Sequence, residues 1–240
     1  KYMKHCIEKI HRGSFAWVPR PRTIVSVPLE ITEVERKAVI DAVTASGARE
    51  VRLVLAPLAT AIGARMPVQE SYGRMVVEIG GGTTSIAVIS LSGVVASTML
   101  KTAGNTLDAT IQSFIRDTFN VGIGRKAAEE IKIKIGSAAP FPEPCELSVR
   151  GRNMLTGLPK EFMVTDAAIR EAIKRPVRAI LDAIRTTIEN APSELVSDLY
   201  ESGILLSGGG ALLRGFDALV ARELAMPVRV ADDPLTSVVR

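Results

Sequence analysis

Apolar residues fall into two spacings that alternate along the chain. Short runs rich in β-branched residues read as strands: Thr23 to Val27, Val51 to Leu55, Met75 to Ile79, Ser85 to Leu91, Val94 to Leu100 and Gly203 to Leu206. Elsewhere apolar residues recur every three or four positions, the period of one helix face. Such stripes are Ala38, Val39, Ala42 and Val43, then Leu107, Ile111, Phe114 and Ile115, then Ile169, Ile173, Val177, Ile180, Ile184 and Ile188. Further helices are predicted over residues 1–11, 58–64, 125–135 and 211–225, a β-like segment over 145–164 and a last strand over 228–230. Local signals mark the ends. Thr32 and Glu35 have the spacing of a capping box, Gly47 suits the position after a helix, and Pro57 sits early in one. Pro176 is expected to bend the long helix. Strands alternating with helices give an α/β class.

Two places break this rhythm. The run Met75 to Ile79 passes through Gly80-Gly81-Gly82-Thr83-Thr84 straight into a second strand, with no helix between. Glycines let the backbone turn tightly and bring its N–H groups near an anion. Thr83 and Thr84 add hydroxyls, and Glu78 sets a carboxylate beside the loop. That carboxylate would repel a phosphate unless a metal such as Mg²⁺ lies between them. The loop lacks the lysine and emerging helix of a P-loop. Its residues alone also allow a plain turn between core strands. A second triplet, Gly208-Gly209-Gly210, ends another apolar strand. The ends of two strands in one twisted sheet can share a crevice where ligands bind.

Composition narrows the function. With 240 residues and 47% apolar content, the chain can bury a sizeable core. A net charge of +4 is too small to imply nucleic acid, and 4% aromatics argues against stacking on single strands. Cys6 and Cys145, with two histidines, give neither a disulfide framework nor a zinc site. The thiols fit a reducing compartment, the cytoplasm. No apolar run reaches spanning length and no signal-peptide pattern is visible. Residues 1–11 read as the middle of a helix, and residues 233–240 stop without a cap, so the chain is expected to be a piece of a longer protein.

The two glycine turns, together with Thr32 to Arg36, Ala59 to Gly63, Ile135-Gly136-Ser137, Val149 to Asn153, Leu195 to Asp198, Gly208 to Arg214 and Asp233 to Thr236, resemble the actin-like ATPase superfamily. Within it the chain is most similar to the bacterial cell-shape actins, over nearly its whole length. The resemblance implies a ribonuclease H-like fold, with two lobes around a nucleotide cleft and an incomplete N-terminal lobe. Residues 1–66 would be the remainder of lobe I (subdomain IA) and 67–240 lobe II. Within lobe II, 107–170 would form the smaller subdomain IIB, and 67–106 with 171–240 subdomain IIA.

ATP and Mg²⁺ are the implied cofactors. Gly80, Gly81, Gly82, Thr83 and Thr84 match a phosphate loop; Thr83 and Glu78 match reacting positions, Glu78 holding Mg²⁺ through water. Glu129 and Lys132 match ribose contacts. On one helix face, a carboxylate can accept from ribose hydroxyls while an ammonium faces phosphate. The residues alone equally allow an i,i+3 salt bridge between them. Gly208, Gly209, Gly210 and Leu212 match the turn that packs on adenine; without a ligand it would be an ordinary strand-to-helix turn.

Three positions depart from the family pattern. The glutamate that orients the attacking water is Ala56, the aspartate heading the phosphate loop is Glu78, and a Gly-Asp pair is Gly104-Asn105. Loss of one such carboxylate commonly costs ~10²–10⁴ in rate. The family's first phosphate loop would lie ahead of Lys1. Weak ATPase activity at most is therefore expected.

Phe15 and Trp17, flanked by Arg12, Arg20 and Arg22, align with a loop by which family members touch the membrane. Rings in the headgroup layer with cations facing anionic lipid suit an interface; packing of the rings into a neighbouring subdomain is the alternative. The resemblance implies filaments of the chain itself, inner-membrane elongation proteins and an anionic lipid surface as partners. It implies a peripheral place on the inner face of the cytoplasmic membrane, and rod shape as the outcome. Rival readings are a non-hydrolysing paralogue, a small-molecule kinase and an Hsp70-like chaperone ATPase. Ala56 and Asn105 argue against the kinase, and no peptide-binding module follows the last strand.

Overall fold

The computed structural model describes residues 2–11, 21–140 and 143–240. Phe15 and Trp17 lie outside them. Helix α1 (Tyr2–His11) precedes a parallel unit of β1 (Arg22–Val27), α2 (Glu33–Ala45) and β2 (Glu50–Leu55). The expected capping box starts α2: the Thr32 hydroxyl accepts from the Glu35 amide, and the Glu35 carboxylate accepts from the Thr32 amide. Those bonds hold the Glu35 carboxyl below its ordinary pKa. Past its end, Gly47 takes a φ of +110°, the left-handed conformation that glycine tolerates.

Helix α3 (Ala56–Gly63) leads to β3 (Arg74–Ile79), β4 (Thr84–Ser90) and β5 (Gly93–Leu100). Then come α4 (Gly104–Phe119), β6 (Val121–Gly122), α5 (Arg125–Ile135), β7 (Glu146–Asn153) and β8 (Pro159–Thr165). The long α6 (Asp166–Glu189), α7 (Ser193–Ser202) and β9 (Ile204–Ser207) follow. A 3-10 turn at Gly209–Leu212, α8 (Phe216–Leu224), β10 (Val228–Val230) and a 3-10 turn at Ser237–Val239 complete the order.

Three sheets result among the described residues: the β1–β2 pair, a five-stranded sheet β10-β9-β3-β4-β5, and β6-β7-β8. In the central sheet β3 pairs antiparallel with β4 and parallel with β9. Its inner strands β3, β4 and β9 are largely buried on both faces, so they read as continuous apolar runs, while the edge strand β5 alternates between exposed and half-buried residues. All seven residues of β4 are buried. Side-chain parity divides the core in two. Met75, Val77, Ile79, Ile86 and Val88 face the large cluster built with α4, α5 and α6. Val76, Ala87, Ile89 and Leu205 face Ala61 of α3, with Met66, Val68 and Ala231. Glu78 shares its parity with Val76, so it points to the α3 side. A Cβ on Gly63 would stand 1.8 Å from the Ser237 carbonyl oxygen, so only glycine lets α3 lie this close to the last turn.

Two elements differ from the sequence-based expectation. Helix α7 was not among the expected helices; it buries only Leu199 among its ten residues, too little to announce a stripe. The helix expected over 211–225 starts at Phe216, because the 3-10 turn comes first and Gly215 reverses the chain at φ +69°.

Candidate functional site

Parallel pairing of β3 with β9 sets Glu78 beside Ser207, so the two glycine turns leave the sheet side by side. The second turn is fixed by contact with the strand that carries the first. Gly208 has φ +79°, and a Cβ there would lie 2.3 Å from the Ile79 carbonyl oxygen; one on Gly210 would lie 2.1 Å from Ile79 Cγ2. The Gly208 amide donates to the Pro234 carbonyl (2.9 Å).

The first turn closes with the Gly80 amide donating to the Thr83 carbonyl (3.0 Å). Its own carbonyls serve the start of α4: the Gly104 amide donates to Gly80 (3.1 Å) and the Asn105 amide to Gly81 (2.7 Å). Two of the amides that a helix start leaves unpaired are thus satisfied by the loop. In a trans peptide the N–H points opposite to the preceding C=O, and the chain has no cis bond among the described residues. The Gly81 and Gly82 amides therefore point away from α4. Among the described residues neither they nor the Thr83 amide meets an acceptor. Consecutive free amides of this kind favour an anion.

A cleft of about 540 Å³ adjoins both turns, lined by Gly80, Gly81, Gly104 and Asn105, by Glu129, Lys132 and Ile133 of α5, and by Gly209, Gly210, Leu212 and Leu235. Ile133, Leu212 and Leu235 are 66%, 54% and 67% exposed and give the cleft an open apolar wall. Such a wall suits a flat apolar ring, while polar groups at the other end fix its orientation.

The predicted residues thus divide. Gly80, Gly81, Glu129, Lys132, Gly209, Gly210 and Leu212 line one cleft. Gly82 and Thr83 sit in the loop beside it, and Gly208 stands behind, anchoring the turn. Thr84 does not offer its hydroxyl to a ligand: it is buried and its hydroxyl donates to the Thr102 carbonyl (2.7 Å). Lys132 does not pair with Glu129. Its Nζ lies 2.8 Å from Asp108 Oδ1 and donates to the Gly104 carbonyl (3.3 Å). An acidic residue beside the apolar stripe of α4 was the sequence signal for Asp108; Ile133 and Leu235 gave none.

Glu78 reaches α3, where the Thr60 hydroxyl donates to its Oε2 (3.2 Å). Burial pushes its carboxyl pKa up, and the Thr60 bond only partly opposes this. Thr60 lies four residues beyond Ala56, on the same helix face. Among the described residues no cluster of three or more His, Cys, Asp or Glu side chains forms a metal cage. Glu78 is a single carboxylate, which fits a cation bound mainly by phosphate and water, as Mg²⁺ usually is.

Comparison with known proteins gives the family and the fold. The MreB/Mbl protein family matches residues 1–240. The cell shape-determining protein MreB of Escherichia coli (strain K12) is 46% identical over 240 residues, all of this chain and 69% of that protein. The crystal structure of MreB5 of Spiroplasma citri bound to ADP superposes with a TM-score of 0.94 at 32% identity, covering 99% of this chain and 71% of the other. The same protein bound to AMPPNP gives 0.93 at 31% identity, covering 98% and 72%. The chain belongs to the MreB/Mbl family and has its actin-like α/β fold.

Proposed function

We propose that the chain binds an adenine nucleotide in the cleft beside its two glycine turns and acts as a filament-forming cell-shape protein. One observation carries the reading: Gly81, the first of three consecutive residues whose amides meet no acceptor among the described residues, and the exposed apolar wall of Ile133, Leu212 and Leu235 line a single 540 Å³ cleft. Its relatives add support, since MreB5 binds ADP and AMPPNP and the E. coli protein is named for determining cell shape. In this reading the amides take the phosphates, Glu129 the ribose, and Gly209, Gly210 and Leu212 the base. Glu78 would hold Mg²⁺ through water, and Mg²⁺ would offset charge at the phosphates. Thr83 sits where the hydrolysed phosphate would lie.

Hydrolysis is proposed to be weak. Ala56 presents only a methyl group at the start of α3, and Glu78 is drawn toward Thr60. Nucleotide would bias closure of two lobes, residues 1–66 against 67–240, and so favour head-to-tail assembly. Among the described residues no helix is long and apolar enough to cross a membrane. Attachment to anionic lipid on the inner face of the cytoplasmic membrane is assigned to Phe15 and Trp17, with inner-membrane elongation proteins as further partners in organising wall synthesis. The test is sedimentation with anionic vesicles. ATP-dependent pelleting that Phe15→Ser plus Trp17→Ser abolishes is expected. A chain that stays in the supernatant yet releases ADP only when sugar is added would overturn the reading in favour of a kinase.

A further inference from the structure

Asp108, the partner of Lys132, lies outside every role assigned so far. Asp108 is on α4 and its side chain is 3% exposed; Lys132 is on α5, 16% exposed, and lines the cleft. Their atoms approach to 2.8 Å. The same ammonium donates to the carbonyl of Gly104, whose amide in turn holds the Gly80 carbonyl. A Cβ on Gly104 would stand 3.4 Å from Lys132 Nζ and 3.7 Å from Gly81 Cα, so the ammonium sits close beneath the loop. A lone cation there would attract any phosphate at the loop amides strongly, because a half-buried site screens charge poorly. Among the described residues Asp108 has no other cationic partner, and a buried carboxylate needs one.

We propose that Asp108 is a positioning residue that tethers and neutralises the Lys132 ammonium, and so limits how tightly the cleft holds phosphate. Bound nucleotide competes with Asp108 for one cation, which weakens retention and favours exchange. This rests on the nucleotide reading above. Its signature is a gain of affinity on removing a carboxylate, which a purely structural role does not give.

The experiment measures ADP and adenosine binding by calorimetry to the wild-type chain, to Asp108→Asn and to Asp108→Asn with Lys132→Met. Asp108→Asn should bind ADP about tenfold more tightly, the scale of one charge-assisted contact. Adenosine, which lacks phosphate, should bind unchanged, and the double variant should lose the gain. If Asp108→Asn unfolds the free chain, ADP but not adenosine should restore its far-UV signal. Unchanged or weaker ADP binding by folded Asp108→Asn, a gain that persists in the double variant, or unfolding that ADP does not reverse would overturn the proposal. If neither chain binds ADP, the nucleotide reading falls, and this inference with it.

Discussion

The two glycine turns look alike in sequence, yet they need glycine for different reasons. At Gly208 and Gly210 the protein itself forbids a side chain, because Ile79 stands within 2.3 Å and 2.1 Å of where each Cβ would be. At Gly82 nothing lies within 4 Å, and neither it nor Gly80 or Gly81 has a positive φ. The second turn is therefore a structural joint between β9 and β3. The first is open where the joint is closed: the Gly80 and Gly81 carbonyls are tied to α4, the Gly81, Gly82 and Thr83 amides meet no acceptor among the described residues, and nothing stands where a Cβ on Gly82 would lie. Glycine that the fold does not demand points to something outside the chain.

The largest test of this contrast is Gly208→Ala. The backbone there, φ +79° and ψ 167°, lies in a region reached almost only by glycine, and the methyl would meet a backbone carbonyl that cannot step aside. A loss of at least about 3 kcal/mol is expected in chemical unfolding. A loss under about 1 kcal/mol, no more than an ordinary substitution costs, would mean that the joint is not tight.

Gly82→Ala probes the other side. With no positive φ and no neighbour, alanine should leave stability unchanged or raise it by about 0.4–1 kcal/mol, through a less flexible unfolded chain. ADP affinity should nevertheless fall about tenfold or more, because a methyl group keeps phosphate from the amides. Calorimetry beside a thermal melt separates the two effects. Equal ADP binding by variant and wild type would make the first turn as plain as its sequence allows.

The elements that carry the two turns were legible in the sequence, but the contrast between the turns was not. The strand-loop-strand around Gly80–Gly82, the second triplet after β9 and the stripes of α4 and α6 were all readable, because each element buries a regular set of apolar residues or ends in glycines. What the sequence withheld is long-range. Parallel pairing of β3 with β9 joins residues more than a hundred positions apart, and no local pattern encodes it. Partner choice was withheld for the same reason. Lys132 has Glu129 as its neighbour in sequence but takes Asp108 from another helix, since a buried carboxylate competes better for an ammonium than an exposed one does. Leu235 comes from a strand-end loop with no period to mark it, and Thr84 looked like a ligand hydroxyl because its bond to Thr102 lies across the sheet.

The smallest expected effect concerns Glu78, which sits at the base of the open turn. Burial raises its carboxyl pKa above the ordinary 4.5 in the folded chain. Below that ordinary value both states are protonated and the group costs nothing. Between it and the raised value the folded chain keeps a proton that the unfolded chain releases, so stability falls as pH rises through this window and then levels off. Glu78→Gln carries no such charge. It should match wild type in acid and become the more stable chain, by no more than about 1 kcal/mol, once the pH passes the window. Melting curves taken across pH 3.5 to 7.5, roughly the span needed to bracket a shifted carboxyl, measure the gap. Added Mg²⁺ and ADP should reverse its sign near neutrality, because the ionised carboxylate then faces a cation through water and the amide cannot. A gap that opens with pH but ignores Mg²⁺ and ADP would leave Glu78 as a strained partner of Thr60 and nothing more, and the openness of the first turn would then lack its metal.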